Sequence, residues 1–179
     1  MAGQEPNTIE KFYIVLGQTF NNFEVIIGEL NANGKTQINA AMVDALKKFI
    51  LSKDKKYLIT AFINNSYAYW EQIKTRNEKF LIENIGVIFG EYSERPEFAD
   101  IKKILVSETD ADTKICIWDC LTSLVRQCIT YVFEERGAIA HKSSSGDGKM
   151  ITKLVYKNKE AYENVELAKY IKMWNLKLY

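Results

Sequence analysis

A chain of 179 residues, 47% hydrophobic and 26% charged, with only 9 glycines and 2 prolines, has the size and apolar content of one globular domain with room for an appendage. These proportions exclude collagen-like repeats and Pro/Gly-rich disorder, and three cysteines are too few for a disulfide scaffold. With 24 Lys+Arg against 23 Asp+Glu, no strong overall field draws the chain to nucleic acid or to acidic lipid.

The first residues, Met1 to Pro6, carry neither the basic nor the apolar stretch of a secretory signal, and Ala2 stands where myristoylation needs glycine. Apolar runs such as Ile14-Val15-Leu16 and Val25-Ile26-Ile27 are far shorter than the roughly 18 residues a spanning helix requires, so no membrane span is expected. Three cysteines without a signal predict free thiols in a reducing, cytoplasmic compartment, where the sequon Asn64-Asn65-Ser66 would arise by chance.

Apolar spacing sets the elements. Ile9, Phe12, Tyr13, Leu16, Phe20, Phe23, Ile27 and Leu30 recur every three or four residues, which predicts a long amphipathic helix. Asn7 or Thr8 would cap its start, and Asn33-Gly34 would stop it. A second helix is expected from about Thr36 to Ser52 with Ile38, Met42, Leu46, Phe49 and Ile50 inward, then a polar turn through Ser52 to Lys55. Helical spacing resumes from Leu58 and runs about 34 residues to Phe89-Gly90, which is long for a globular helix and predicts a break near Lys74 to Asn77. Tyr92 to Pro96 reads as a connection, and Phe98, Ile101, Ile104 and Leu105 as a short helix. The acidic, cap-rich Ser107 to Asp112 precedes a helix from about Thr113 to Arg136 with a broad apolar face of Ile117, Trp118, Leu121, Leu124, Val125, Cys128, Ile129, Val132 and Phe133. Ser143 to Lys149 has linker composition, Ile151 to Tyr156 suits a short strand or helix, and Glu160 to Leu178 returns to helical spacing. From Lys142 onward the net charge is +4, against −3 for the residues before it.

Groups able to do chemistry have plainer readings. The single histidine, His141, lacks any motif that would pair it with Cys128 or Ser143 and reads as an exposed loop residue. Cys116 and Cys120 are spaced i, i+4, but zinc knuckles are missing, so they and Cys128 read as small buried hydrophobes. Gly146-Asp147-Gly148-Lys149 lacks the upstream glycine and the hydroxyl residue of a phosphate loop. The carboxylate clusters Glu134-Glu135, Asp110/Asp112 and Glu91/Glu94/Glu97 fall at helix ends, where solvated caps are the default. Tyrosines and tryptophans interleave with lysines in the tail, where Tyr156, Tyr162, Lys169, Tyr170, Lys172, Trp174 and Tyr179 are the candidate partner-binding residues. Such a pattern also suits single-stranded nucleic acid, but a +4 tail without arginine favours protein.

Two stretches carry a resemblance. Trp70, Ile73, Arg76-Asn77-Glu78, Phe80-Leu81, Asn84 and Ile88-Phe89-Gly90 form the first, and Ile117-Trp118-Asp119, Leu121, Leu124-Val125, Cys128-Ile129, Tyr131 and Glu134-Glu135-Arg136 the second. Over about residues 67–136 this resembles a group of uncharacterised small helical proteins of nucleocytoplasmic large DNA viruses. The resemblance implies a virion structural role or a host-factor-binding role, and it assigns no catalytic residue.

The expectation is therefore an all-α protein, a bundle of five or six helices over residues 1–141, with a basic helical C-terminal arm over residues 142–179 after a flexible joint. The expected function is that of a non-enzymatic structural or interaction protein, in its narrower form a minor capsid-associated virion component, with no catalytic, cofactor-binding or metal site. Its partner would be another protein or a second copy. The alternatives are nucleic-acid binding through the arm, and an inhibitor gripping a host partner helix, which an exposed groove between the long helices would distinguish.

Overall fold

The computed structural model describes residues 6–96, 98–99, 110–135, 138–144, 150–156, 174 and 177–178. The described residues are predominantly helical, and the fold class is all-α. The chain divides into two compact units, Met1–Val125 and Arg126–Tyr179.

In the first unit, α1 (Thr8–Ala32) begins where Asn7 accepts a hydrogen bond from the Glu10 amide at 2.9 Å, and it ends at Asn33. The following Gly34 takes φ +67°, and amides 33 to 35 cap the last carbonyls of the helix. Its buried stripe includes Phe12, Leu16, Phe20, Phe23, Ile27 and Leu30, as the spacing predicts.

The second helix, α2 (Ala40–Leu51), starts later than the expected Thr36. Asn31, still in α1, explains the delay. Its amide oxygen accepts from the Thr36 hydroxyl at 2.8 Å and the Ile38 amide at 3.0 Å, while its NH₂ donates to the Ile38 carbonyl at 2.8 Å. Residues 36–38 are thus held in an extended loop, and Asn39 caps α2 through the Ala41 amide. The inward face is Val43, Leu46 and Ile50, with Ile38 buried ahead of the helix; Met42 is half-buried and Phe49 is exposed.

The helical stretch expected after Lys55, with one break near Lys74 to Asn77, is in fact three helices with two breaks. Helix α3 (Lys55–Ser66), capped by Asp54, gives way to a 3-10 turn at Tyr67–Tyr69, then α4 (Trp70–Lys74) and α5 (Glu78–Phe89). The break near Lys74 to Asn77 is present: Arg76 takes φ +53°, and Asn77 caps α5 through the Phe80 amide. The earlier break has a local cause. The fully buried Ser66 hydroxyl donates to the Phe62 carbonyl at 2.6 Å and accepts from the Trp70 indole Nε1 at 3.0 Å, which locks the tightened turn and turns Trp70 into the core.

Helix α1 packs on α2 and α3, and α3 packs on α5. Lys47 of α2 pairs with Glu24 at 2.9 Å, and Lys55 of α3 with Glu10 at 2.7 Å, tying both helices to α1. A second 3-10 turn, Gly90–Glu94, replaces the expected plain connection and buries Tyr92. Phe98 is buried against Phe89 at 5.3 Å between ring centroids, but the short helix expected through Ile101, Ile104 and Leu105 lies outside the described residues.

Helix α6 (Ala111–Glu135) is the long helix expected near Thr113 to Arg136, and Asp110 caps it by accepting from the Thr113 amide at 2.8 Å. That hydrogen bond, foremost among its interactions, lowers the Asp110 pKa. Within the first unit, α6 buries Ile117, Trp118, Leu121, Leu124 and Val125. Lys114 pairs with Glu78 and Asp119 with Arg76, which ties this part of α6 to both sides of the α4–α5 break.

In the second unit Cys128, Ile129 and Tyr131 are buried. Strand β1 (Ala138–Ser144) pairs antiparallel with β2 (Met150–Tyr156) in the register Ala138 to Tyr156 through Ser144 to Met150, and β3 (Lys177–Leu178) adds in parallel to β2. Of the two readings of Ile151 to Tyr156, strand is the one observed. The joint therefore departs from a flexible linker at its first residues, because Lys142, Ser143 and Ser144 belong to β1. The helix expected over Glu160 to Leu178 lies outside the described residues except at Trp174, which is in a turn, and at Lys177 and Leu178, which are extended.

Candidate functional site

The feature of the first unit best suited to receive another molecule is a groove of about 460 Å³ between α1 and the first half of α6. Val15, Gln18, Thr19 and Asn22 form one wall, and Asp112, Ile115, Cys116, Asp119, Cys120 and Ser123 the other. Each set recurs at three- and four-residue intervals, so each is one stripe of its helix. A volume of this size falls within the roughly 300–1,000 Å³ range of ligand-binding clefts.

The walls mix aliphatic and polar groups. Ile115 is 47% exposed, and on α1 the exposed Ile14 (46%) and Val25 (61%) share a strip with Gln18 by the helical repeat. The Asn22 NH₂ donates to the Cys120 sulfur at 3.3 Å across the groove. The Asp119 carboxylate receives Arg76 at 2.6 Å, while the buried Thr19 hydroxyl is spent on the Val15 carbonyl at 2.8 Å. Burial raises the Cys116 pKa, with the neighbouring Cys120 as the next cause.

A second hollow lies among α1, α2, α3 and α5, lined mainly by Phe12, Leu16, Phe20, Phe62, Phe89 and Tyr92. Its volume of about 30 Å³ is the share of a single water, too small for a substrate. Beside it the Tyr57 hydroxyl donates to Glu91 at 2.8 Å, and this hydrogen bond raises the Tyr57 pKa. The Tyr92 phenol is pushed up to about 12, first by burial and then by the nearby Tyr57 and Glu91. A phenol kept protonated by the fold stabilises the folded chain fully below its ordinary pKa of 10.0, and this contribution is lost as the pH climbs from there through about 12. Stability followed by urea unfolding is expected to decline over that window and to decline less steeply in Tyr92→Phe. An equally steep decline in the variant would remove Tyr92 as a cause.

Several candidate residues occupy places other than those expected on reading the chain. Cys128 is buried, and burial raises its pKa, as suits a small hydrophobe, but Cys116 and Cys120 are only half-buried and line the groove. They avoid the core because it lies on the Ile117, Leu121 and Leu124 face of the same helix. His141 is in strand β1 opposite Lys153 rather than in a loop. Asp110 does serve as a cap, while Asp112 lines the groove. Of the candidate partner-binding residues, Trp174 is fully buried, so its ring surface is already used within the chain, and Tyr156 closes β2 opposite Ala138. Tyr162, Lys169, Tyr170, Lys172 and Tyr179 lie outside the described residues.

Among the described residues no group of three or more His, Cys, Asp or Glu side chains is placed to hold a metal ion, and no helix is long and apolar enough to cross a membrane. No family model, no curated protein and no solved structure matches the chain.

Proposed function

We propose that this chain is a non-enzymatic interaction protein that seats an amphipathic helical segment of a protein partner between α1 and α6. The observation that carries this reading is an open groove between α1 and the first half of α6, with the exposed Ile115 on one wall, the half-buried Val15 on the other, and the exposed Ile14 and Val25 on the neighbouring strip of α1. A docked helix would bury Ile14, Val15 and Ile115 against its own apolar face, the helix-in-groove mode of recognition. Asp112 on one wall favours a partner with lysine or arginine flanking that face. Catalysis has less to stand on, since Glu10, Glu24, Asp44, Glu78 and Asp119 are engaged in ion pairs and Asp110 in a cap. The virion role implied by the resemblance adds no geometry of its own and forms no part of this reading.

Photo-cross-linking tests the proposal. A photoreactive side chain placed at Gln18 or Ile115 is expected to trap one discrete protein partner, and the exposed Val87, on α5, to trap none. Adding Val15→Lys should abolish the adduct while circular dichroism stays unchanged. Equal adducts at all three positions, none at all, or an adduct of twice the chain's own mass would overturn the reading.

A further inference from the structure

We propose that Cys116 and Cys120 form a dithiol site that captures a two-coordinate soft cation of the Cu(I) class at the α1–α6 groove. This goes beyond the docking reading and needs only the groove walls. Both sulfurs line the groove, both residues are half-buried, and neither is in a disulfide, so a small reagent can reach them.

Helical spacing decides what the pair can do. Side chains at i, i+4 hold their Cβ atoms about 5–6 Å apart. A disulfide requires about 3.5–4.5 Å between Cβ atoms, so closing one here would unwind a turn of α6. A metal bridge is longer. With metal–sulfur bonds of about 2.3 Å, the length in zinc thiolates, a linear S–M–S unit spans roughly 4.6 Å between sulfurs, close to the spacing of i, i+4 side chains.

Ligand number decides which ion. With no third His, Cys, Asp or Glu grouped at the pair among the described residues, tetrahedral zinc is poorly served. Soft thiolate donors select Cu(I), which is satisfied by two of them. On binding, each thiol releases its proton to solvent and each sulfur forms one bond to the metal, so one cation displaces two protons and leaves a net charge of −1 on the unit, with no change in oxidation state. The Asn22 NH₂, 3.3 Å from the Cys120 sulfur, is placed to donate to the resulting thiolate. Because protons compete for the same sulfurs, affinity should rise with pH.

The probe is Cu(I) supplied as its coloured bicinchoninate complex under argon. The wild-type chain is expected to withdraw one Cu(I) and bleach the complex, and Cys128→Ala to do the same. Cys116→Ser and Cys120→Ser should each weaken withdrawal by more than the roughly 100-fold that even outer-ligand changes can cost, and Asn22→Leu by about 10-fold. Circular dichroism confirms that each variant is folded, and Cys116→Ala repeats the test should the serine variant not fold. Withdrawal that persists without Cys116 or Cys120, or folded wild type that leaves the complex coloured, would overturn the proposal. Loss of the cross-links described above with Cu(I) withdrawal intact would sink the docking reading alone.

Discussion

Gly90→Ala is expected to destabilise the protein by about 1–4 kcal/mol, of which roughly 1–3 kcal/mol is backbone strain and the rest the smaller cost of moving the Asn65 side chain aside. Gly90 ends α5 at φ +57°, ψ −131°, a backbone region that L side chains rarely adopt. It also lies close against α3, and a Cβ added there would overlap the amide group of Asn65. The two costs are separable. Asn65→Ala in the same chain should recover the overlap and leave the strain, so the double variant is expected to fall between Gly90→Ala and wild type. The readout is the urea midpoint at constant m-value. A shift below about 0.5 kcal/mol in Gly90→Ala, the scale of an ordinary surface change, would show that the turn relaxes into a common conformation.

Legibility in the sequence follows how local each cause is. Helix α1 could be read almost residue by residue because Asn7, the stripe from Phe12 to Leu30, and Asn33-Gly34 all act within a few residues of the feature they set. The start of α2 could not, since Asn31 holds Thr36 and Ile38 through a side chain belonging to the preceding helix. The break at Ser66 was hidden for another reason. A 3-10 turn of three residues barely disturbs a three-and-four apolar pattern, so Phe62, Tyr69 and Ile73 read as one continuous stripe. The groove was the least legible feature. Val15, Gln18, Thr19 and Asn22 look like the margin of a solvated face until a second helix stands beside them. The signal that could have found it was on α6, where Cys116, Cys120 and Ser123 fall on one stripe with Asp112 and Asp119, off the core stripe of Ile117, Leu121 and Leu124. Assigning all three cysteines to the core averaged over that difference.

Trp70→Ala is expected to cost about 3–5 kcal/mol, the usual loss when a fully buried aromatic is truncated. Trp70 is 1% exposed and among the largest buried side chains, so the variant leaves a hollow where α4 meets the core. Trp70→Phe separates packing from polarity. It keeps most of the ring volume but removes the indole N–H, and the Ser66 hydroxyl retains its donation to the Phe62 carbonyl, so the hydrogen-bond part of the loss should be only about 1 kcal/mol. A phenylalanine variant as unstable as the alanine one would mean that the polar lock, and not the packed ring, holds the bend after α3. The substitution also reaches the groove. Arg76 follows closely on α4 and meets Asp119 on the α6 wall, so slackening at Trp70 frees a carboxylate on that wall and changes how it receives a basic partner. The folded fraction of Trp70→Ala is therefore expected to cross-link more through Ile115 than wild type does. Unchanged cross-linking there would show that the wall keeps its shape without the anchored tryptophan.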